Sequence, residues 1–229
     1  MAYPKGFARD LEGKVVPFGQ TKVTYEASFT FGEALPSWLT VTSGTGASIA
    51  NNTSNAGYYM VSTPAATAGS KAQIATSKIA LSQYEAVMLE VDGLYWSSNY
   101  ALNLAADVAV GVRNISPDAS AGALLMQATT DADTAKIAVA GESGANATPM
   151  PYQMRTMGEA DKRRNVGVLL LPKLKQTIVF ESGITNIIGW KDSTAMGTGL
   201  AQGLIEITAQ EAVTHALRFT TARLTLWKN

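Results

Sequence analysis

Lys22-Val23-Thr24-Tyr25-Glu26-Ala27-Ser28-Phe29-Thr30-Phe31 alternates without a break. Val23, Tyr25, Ala27, Phe29 and Phe31 share one face, and Lys22, Thr24, Glu26, Ser28 and Thr30 the other. Side chains of an extended backbone point alternately to opposite sides, so this spacing predicts a strand with one face turned inward. Residues 32–36 break the pattern with Gly32 and Pro36. The same period of two returns over 47–50, 58–63, 72–79, 84–95, 108–112, 124–128, 137–139, 166–171, 177–181, 184–190 and 218–227. In 84–95, Val87, Leu89 and Val91 take one face and Met88, Glu90 and Asp92 the other. Pro172-Lys173-Leu174-Lys175 and Asp131-Ala132-Asp133-Thr134 read as hairpin loops. Residues 141–165 read as a long loop.

Short strands with regular turn signals imply an all-β antiparallel sandwich or barrel. A βαβ fold needs amphipathic helices between strands, and these are absent. One short helix is predicted over 208–216, because Thr208-Ala209-Gln210-Glu211 matches a capping box. The first clear strand and the last are expected to lie together. Residues 1–21 form an N-terminal arm and 22–229 a single sandwich domain.

Composition narrows the chemistry. The chain has 229 residues, net charge zero, no cysteine and a single histidine, His215. Hydrophobic residues make up 46% and charged residues 16%, which excludes a disordered chain. A balanced charge argues against coating nucleic acid. Without cysteine there is no disulfide, iron–sulfur cluster or thiol nucleophile. One imidazole cannot build a three-histidine zinc site, and no G-x-S-x-G elbow accompanies it. His215 reads as a surface or cap residue. Residues 1–10 contain no apolar signal-peptide core, and no run of ~18 apolar residues exists. No signal peptide and no membrane insertion are therefore expected.

The strand at 23–31, followed by Gly32-Glu33-Ala34-Leu35-Pro36-Ser37-Trp38-Leu39-Thr40-Val41, resembles the start of concanavalin A-like jelly-roll domains. Gly57-Tyr58-Tyr59-Met60-Val61-Ser62-Thr63 and Ile79-Ala80-Leu81-Ser82-Gln83-Tyr84-Glu85-Ala86-Val87-Met88-Leu89-Glu90-Val91 resemble later elements of that roll, and 217–227 its terminal strand. The style of the chain is similar to minor tail and tail-tip virion proteins of tailed bacteriophages. That resemblance implies a non-enzymatic structural protein, made in the host cytoplasm and built into the virion tail. Its partners would be other virion chains, further copies of itself as a homo-oligomer, and a host-surface glycan. A carbohydrate-binding (lectin-like) module or host-receptor adhesin, and a capsid decoration protein, are the alternatives.

Jelly rolls also include glycoside hydrolases, which place E-x-D-x-x-E or E-x-D-x-E on one strand. A retaining pair needs two carboxylates ~5–5.5 Å apart. Glu90-Val91-Asp92 supplies half of it, but Leu94 and Tyr95 stand where the third carboxylate belongs. No catalytic residue is assigned. Tyr95, Trp96 and Tyr100 cluster at a strand end and are candidate glycan contacts, since aromatic rings stack on pyranose faces. Trp38 and one of Tyr58 and Tyr59 are expected in the core. Asp131 and Asp133 have calcium-loop spacing but lack the further carboxylates, so neither a metal nor another cofactor is assigned. Lys162-Arg163-Arg164 reads as a solvated charge run. Tyr3, Phe7 and Phe18 set apolar side chains among Pro and Gly and are candidate assembly contacts of the arm.

Overall fold

The computed structural model describes residues 7–9, 15–17, 22–28, 34–42, 49–51, 58–64, 67–98, 106–116, 122–128, 135–139, 148–149, 164–181, 183–184, 187–192, 199–209, 212 and 214–228. These form an antiparallel β-sandwich. In one sheet, β5 (Ile49–Asn51), β6 (Tyr59–Ser62), β18 (His215–Phe219), β9 (Tyr84–Ser98), β14 (Arg164–Leu171), β15 (Gln176–Glu181) and β16 (Ile187–Asp192) follow in order. The first half of β9 pairs instead with β19 (Thr221–Lys228), which carries β3 (Lys22–Ser28) at the edge. The other sheet runs β13 (Thr148–Pro149), β12 (Ala135–Val139), β11 (Gly122–Ala128), β10 (Ala106–Ser116), β17 (Leu200–Ala209), β7 (Lys71–Thr76) and β4 (Leu39–Val41), with β8 (Ile79–Ala80) also on β17. β1 (Phe7–Arg9) and β2 (Val15–Pro17) pair with each other as a separate two-stranded sheet.

The core fills the space between the sheets. Val87, Leu89, Val91, Val166, Val168, Leu170, Ala222 and Leu224 meet Val108, Val110, Val112, Ile205, Ile207, Ala72 and Ile74, all buried. Each such Val or Leu contributes about 1.5–3 kcal/mol by leaving water. A second cluster (Met88, Leu169, Leu171, Phe180, Ile184 and Trp227) is buried on the outer face of the first sheet. There the Phe180 ring occupies the space that a side chain at Gly167 would need.

The strand read first in the sequence, β3, pairs with the last, β19, as expected: Tyr25 lies opposite Leu224 and Ala27 opposite Ala222. The hairpin about 172–175 also forms, with Lys175 at φ 55. Other expectations need correction. Among the described residues of 208–216 there is no helix. Thr208 is in β17, opposite Asp107 and Lys71, and β18 begins at His215. Thr208 and Ala209 are strand residues of β17 instead, and Gln210 and Glu211 lie outside the described residues. β17 itself escaped the sequence reading because both its faces are buried, so alternation is hidden. Among described residues of β3, only Ala27 is buried and Tyr25 is 41% exposed, because an edge strand has core on one flank only. Tyr58 and Tyr59 are both buried: the Arg218 guanidinium lies 5.4 Å from the Tyr58 ring centroid, and Tyr59 packs on Phe219. The long-loop segment contains β13, and β14 begins before its end. The Asp131–Thr134 loop lies outside the described residues.

β9 changes partner at Gly93. The Asp92 carbonyl accepts from Thr220 N (2.9 Å) and Oγ1 (3.0 Å), and Gly93 N donates to Asn165 Oδ1 (2.9 Å). Register to β14 slips at the same level, between Arg164 and Val166. Gly93 has φ +66, and a Cβ there would lie 2.5 Å from Thr220 Oγ1. Only glycine meets both demands.

On the outer face of the second sheet, Glu206 is buried. It accepts from Arg113 Nη2 (2.9 Å) and Nη1 (3.1 Å), Lys71 Nζ (3.4 Å) and Gln73 Nε2. Thr42 Oγ1 extends the network by donating to Gln73 Oε1 (2.7 Å). Burial pushes the carboxyl up, but Arg113, Lys71 and Gln73 outweigh it and hold it below its ordinary value.

Replacing Gly93 with Ala is expected to cost about 2–4 kcal/mol in urea unfolding, from left-handed strain plus the Thr220 clash. Gly69 has φ +81 but open space around it. Gly69→Ala is expected to cost only ~1–2 kcal/mol, and equal losses at the two sites would refute the clash. The lowered Glu206 pKa gives stability that is present above the unfolded-state value and lost as pH falls through the folded-state one. Glu206→Gln is expected to cost ~2–4 kcal/mol near neutrality and to flatten the acid limb of the stability–pH curve. An unchanged acid limb would show that this network does not govern it.

Candidate functional site

The outer surface of β3, β19 and β9 gathers charge by register. Arg223 lies opposite Glu26 on one side and Glu90 on the other, and Thr221 lies opposite Ser28 and Asp92. Arg223 Nε donates to Glu26 Oε2 at 3.0 Å, and its Nη1 lies 3.6 Å from Glu90 Oε2. Ser28 Oγ donates to Glu26 Oε1 at 2.7 Å. Ser28 and Arg223 hold the Glu26 carboxyl below its ordinary value. Burial pushes Asp92 up against the pull of Arg223, and Glu26 adds to the rise. Thr24 and Thr225 hydroxyls meet at 3.4 Å one row further on.

Glu90 and Asp92 therefore do not stand on a merely solvated face. They flank an arginine that Glu26, 64 positions earlier in the chain, also binds. The alternation of 22–31 put Glu26 on the outer face of β3. Only sheet order, which periodicity does not report, could bring it beside Glu90. A retaining glycosidase pair needs one protonated and one ionised carboxyl facing a gap of ~5–5.5 Å. Here an arginine occupies the space between Glu26 and Glu90. Leu94, at the position tested for the third carboxylate, is fully buried.

At the sandwich edge, a different surface is open. Tyr25 of edge strand β3 and Trp38, just before edge strand β4, have ring centroids 6.0 Å apart at 42°. Trp38 is half-buried and packs against the core, so that part of its expectation holds. Its carbonyl accepts from Ser77 N at 2.8 Å, and the turn before β4 closes with Leu39 N donating to Pro36 O at 2.9 Å. Trp38 is thus fixed from behind and Tyr25 rests on it.

Of the candidate contacts, Tyr95 and Trp96 lie in β9 beyond the Gly93 kink, opposite Arg218 and Leu217, and the backbone alone is described there. Tyr100 lies outside the described residues, as do Tyr3, Phe18, Asp131, Asp133, Lys162 and Arg163. Phe7 is in β1, opposite Pro17. Arg164 is in β14, where its Nη1 donates to Glu181 Oε1 at 3.0 Å, so it is not part of a solvated run. His215 is a strand residue, fully buried, not a surface or cap residue. Its N–H donates to Thr63 Oγ1 (3.0 Å), and its carbonyl accepts from Thr63 N (2.9 Å). Among the described residues no three Asp, Glu or His side chains are grouped to hold a metal ion. None of their helices is long and apolar enough to cross a membrane.

No family model and no curated protein matches the chain. Solved structures do. The carbohydrate recognition domain of Emp47p is similar at a TM-score of 0.56 and 8% identity, covering 90% of this chain and 96% of that one. The CBM2 module of the evolved Dit of Lactobacillus casei BL23 phage J-1 is similar at a TM-score of 0.54 and 10% identity, covering 92% and 98%. A sialidase is similar at a TM-score of 0.53 and 11% identity over 81% of this chain, which spans only 17% of its length. The fold is an antiparallel jelly roll of the concanavalin A-like, lectin-like kind.

Proposed function

We propose that this chain is a non-enzymatic carbohydrate-binding module. The observation that carries this reading is near-complete mutual coverage with the Emp47p carbohydrate recognition domain, 90% of one and 96% of the other. The sandwich spans nearly the full length of that recognition domain, which supports the reading. The arginine between Glu26 and Glu90 supports the non-catalytic part, since both carboxylates already serve an ion pair. This places the lectin-like alternative ahead of the purely structural role that the sequence style suggested.

A position in a phage tail is the second reading, favoured by the likeness to the J-1 Dit module. In it, the glycan belongs to the host surface. Residues 1–21, with Tyr3, Phe7 and Phe18, act as the assembly arm toward other virion chains or further copies. A capsid decoration role has no comparable support.

The test is a glycan array probed with the full chain. Saturable binding that soluble glycan competes away is expected, and no signal on any glycan would overturn the module reading. Trp96→Ala and Tyr100→Ala, read on the same array, are expected to weaken binding where the end of β9 contributes. Unchanged signal in both would remove Trp96 and Tyr100 as contacts. For the second reading, deletion of residues 1–21 is expected to leave glycan binding intact and abolish incorporation into particles. Normal incorporation would remove the arm's role.

A further inference from the structure

The geometry points to Tyr25 and Trp38 as a stacking platform for a pyranoside at the open edge of the sandwich. The inference rests on the carbohydrate-binding reading and assigns it a site, separate from the β9 end. Tyr25 lies opposite Leu224, which lies opposite Leu89, and Trp96 is seven residues further along β9. At ~3.3 Å per residue the two places are roughly 23 Å apart.

Three observations converge on this edge. Among the aromatic residues whose side chains are described, Tyr25 is the most exposed, at 41%. A lone exposed tyrosine would mean little, but this ring is held at 6.0 Å by a tryptophan that is itself anchored on the core. A ring immobilised before the ligand arrives loses little freedom on binding. Finally, β3 and β4 end their sheets: among the described residues β3 pairs only with β19, and β4 only with β7. Among the described residues, the far side of β3 therefore carries backbone N–H and C=O groups with no ladder partner beside the ring. Ser37, exposed and next to Trp38, adds a hydroxyl.

This combination suits one ligand chemistry. A β-linked glucose or N-acetylglucosamine unit presents a face of axial C–H groups and a rim of equatorial hydroxyls, and galactose, with its axial 4-hydroxyl, presents a C–H patch of its own. The C–H face carries slight positive charge and settles on the negative face of an aromatic ring. The hydroxyls need donors and acceptors at the ring's border, and a strand edge supplies them in alternation. The Glu26–Arg223–Glu90 row is less suited, because its charges already satisfy one another.

The experiment titrates cellotetraose, β-1,4-galactotetraose and chitotetraose calorimetrically into the full chain. Wild type is expected to bind at least one. Tyr25→Ala and Tyr25→Leu are expected to weaken that binding about tenfold or more, and Tyr25→Phe to stay within about threefold. The leucine variant keeps an apolar side chain against Trp38 but has no π face, so it separates stacking from packing. Unfolding midpoints of all three variants are expected near wild type, since Tyr25 lies at an exposed edge. Wild-type binding that survives both Tyr25→Ala and Tyr25→Leu would overturn the platform and leave the carbohydrate-binding reading standing. No wild-type binding to any of the three, with a positive array, would overturn the assigned ligand class and the platform with it. A silent array would overturn both readings.

Discussion

The change of partner at Gly93 is the constraint on which the rest of the first sheet depends. Up to Asp92, β9 lies against β19; beyond it, β9 lies against β18. Because β18 and β19 are consecutive, the Thr220 corner must sit where β9 bulges. The three hydrogen bonds at Asp92, Thr220 and Asn165 make that coincidence a fixed joint. Glu90 and Asp92 then stand just before the joint, level with Arg223, and Tyr95 and Trp96 just after it. The joint thus separates an ion-paired face from an aromatic strand end on a single strand.

Charge is distributed by the same logic. A neutral chain with few charges uses its ions in compact groups. Glu206 collects Arg113 and Lys71 on one outer face. Arg223 collects Glu26 and Glu90 on the other. In each group a partly covered charge has opposite charges close by, which is the condition under which leaving water is tolerable. What remains for an uncharged, hydroxyl-rich ligand is surface without such pairing, and the Tyr25 edge is of that kind.

Much of the architecture was legible from alternation. Val87, Leu89 and Val91 face the core as spaced, the 172–175 hairpin forms, and β3 meets β19. The failures share a cause: local pattern does not report sheet position. β3 reads like a half-buried central strand, yet it is an edge, so Tyr25 looked inward and was exposed. β17 is central and buried on both faces. Its run Leu204-Ile205-Glu206-Ile207 shows no alternation, and its capping-box end suggested a helix. The run of apolar residues was the available signal for a fully buried strand. Glu206 masked it, because a buried carboxylate can be expected only once its cations on β7 and β10 are known. For the same reason Glu26 could not be joined to Glu90, nor Tyr25 to Trp38.

The pairing of β3 with β19 also sets an order of events. Thr24 and Thr225, which touch across it, are 201 positions apart. β9 is flanked on that side by the same late strand, so neither β3 nor the first half of β9 has its neighbour until β19 has left the ribosome. Until then a nascent chain exposes two long strand edges and the apolar faces of Val87, Leu89 and Val91. Closing so large a loop is slow compared with local hairpin formation. The 172–175 hairpin can form early. The Tyr25 edge, by contrast, exists only in the finished molecule, so ligand binding there would report completed folding rather than a partly assembled sheet.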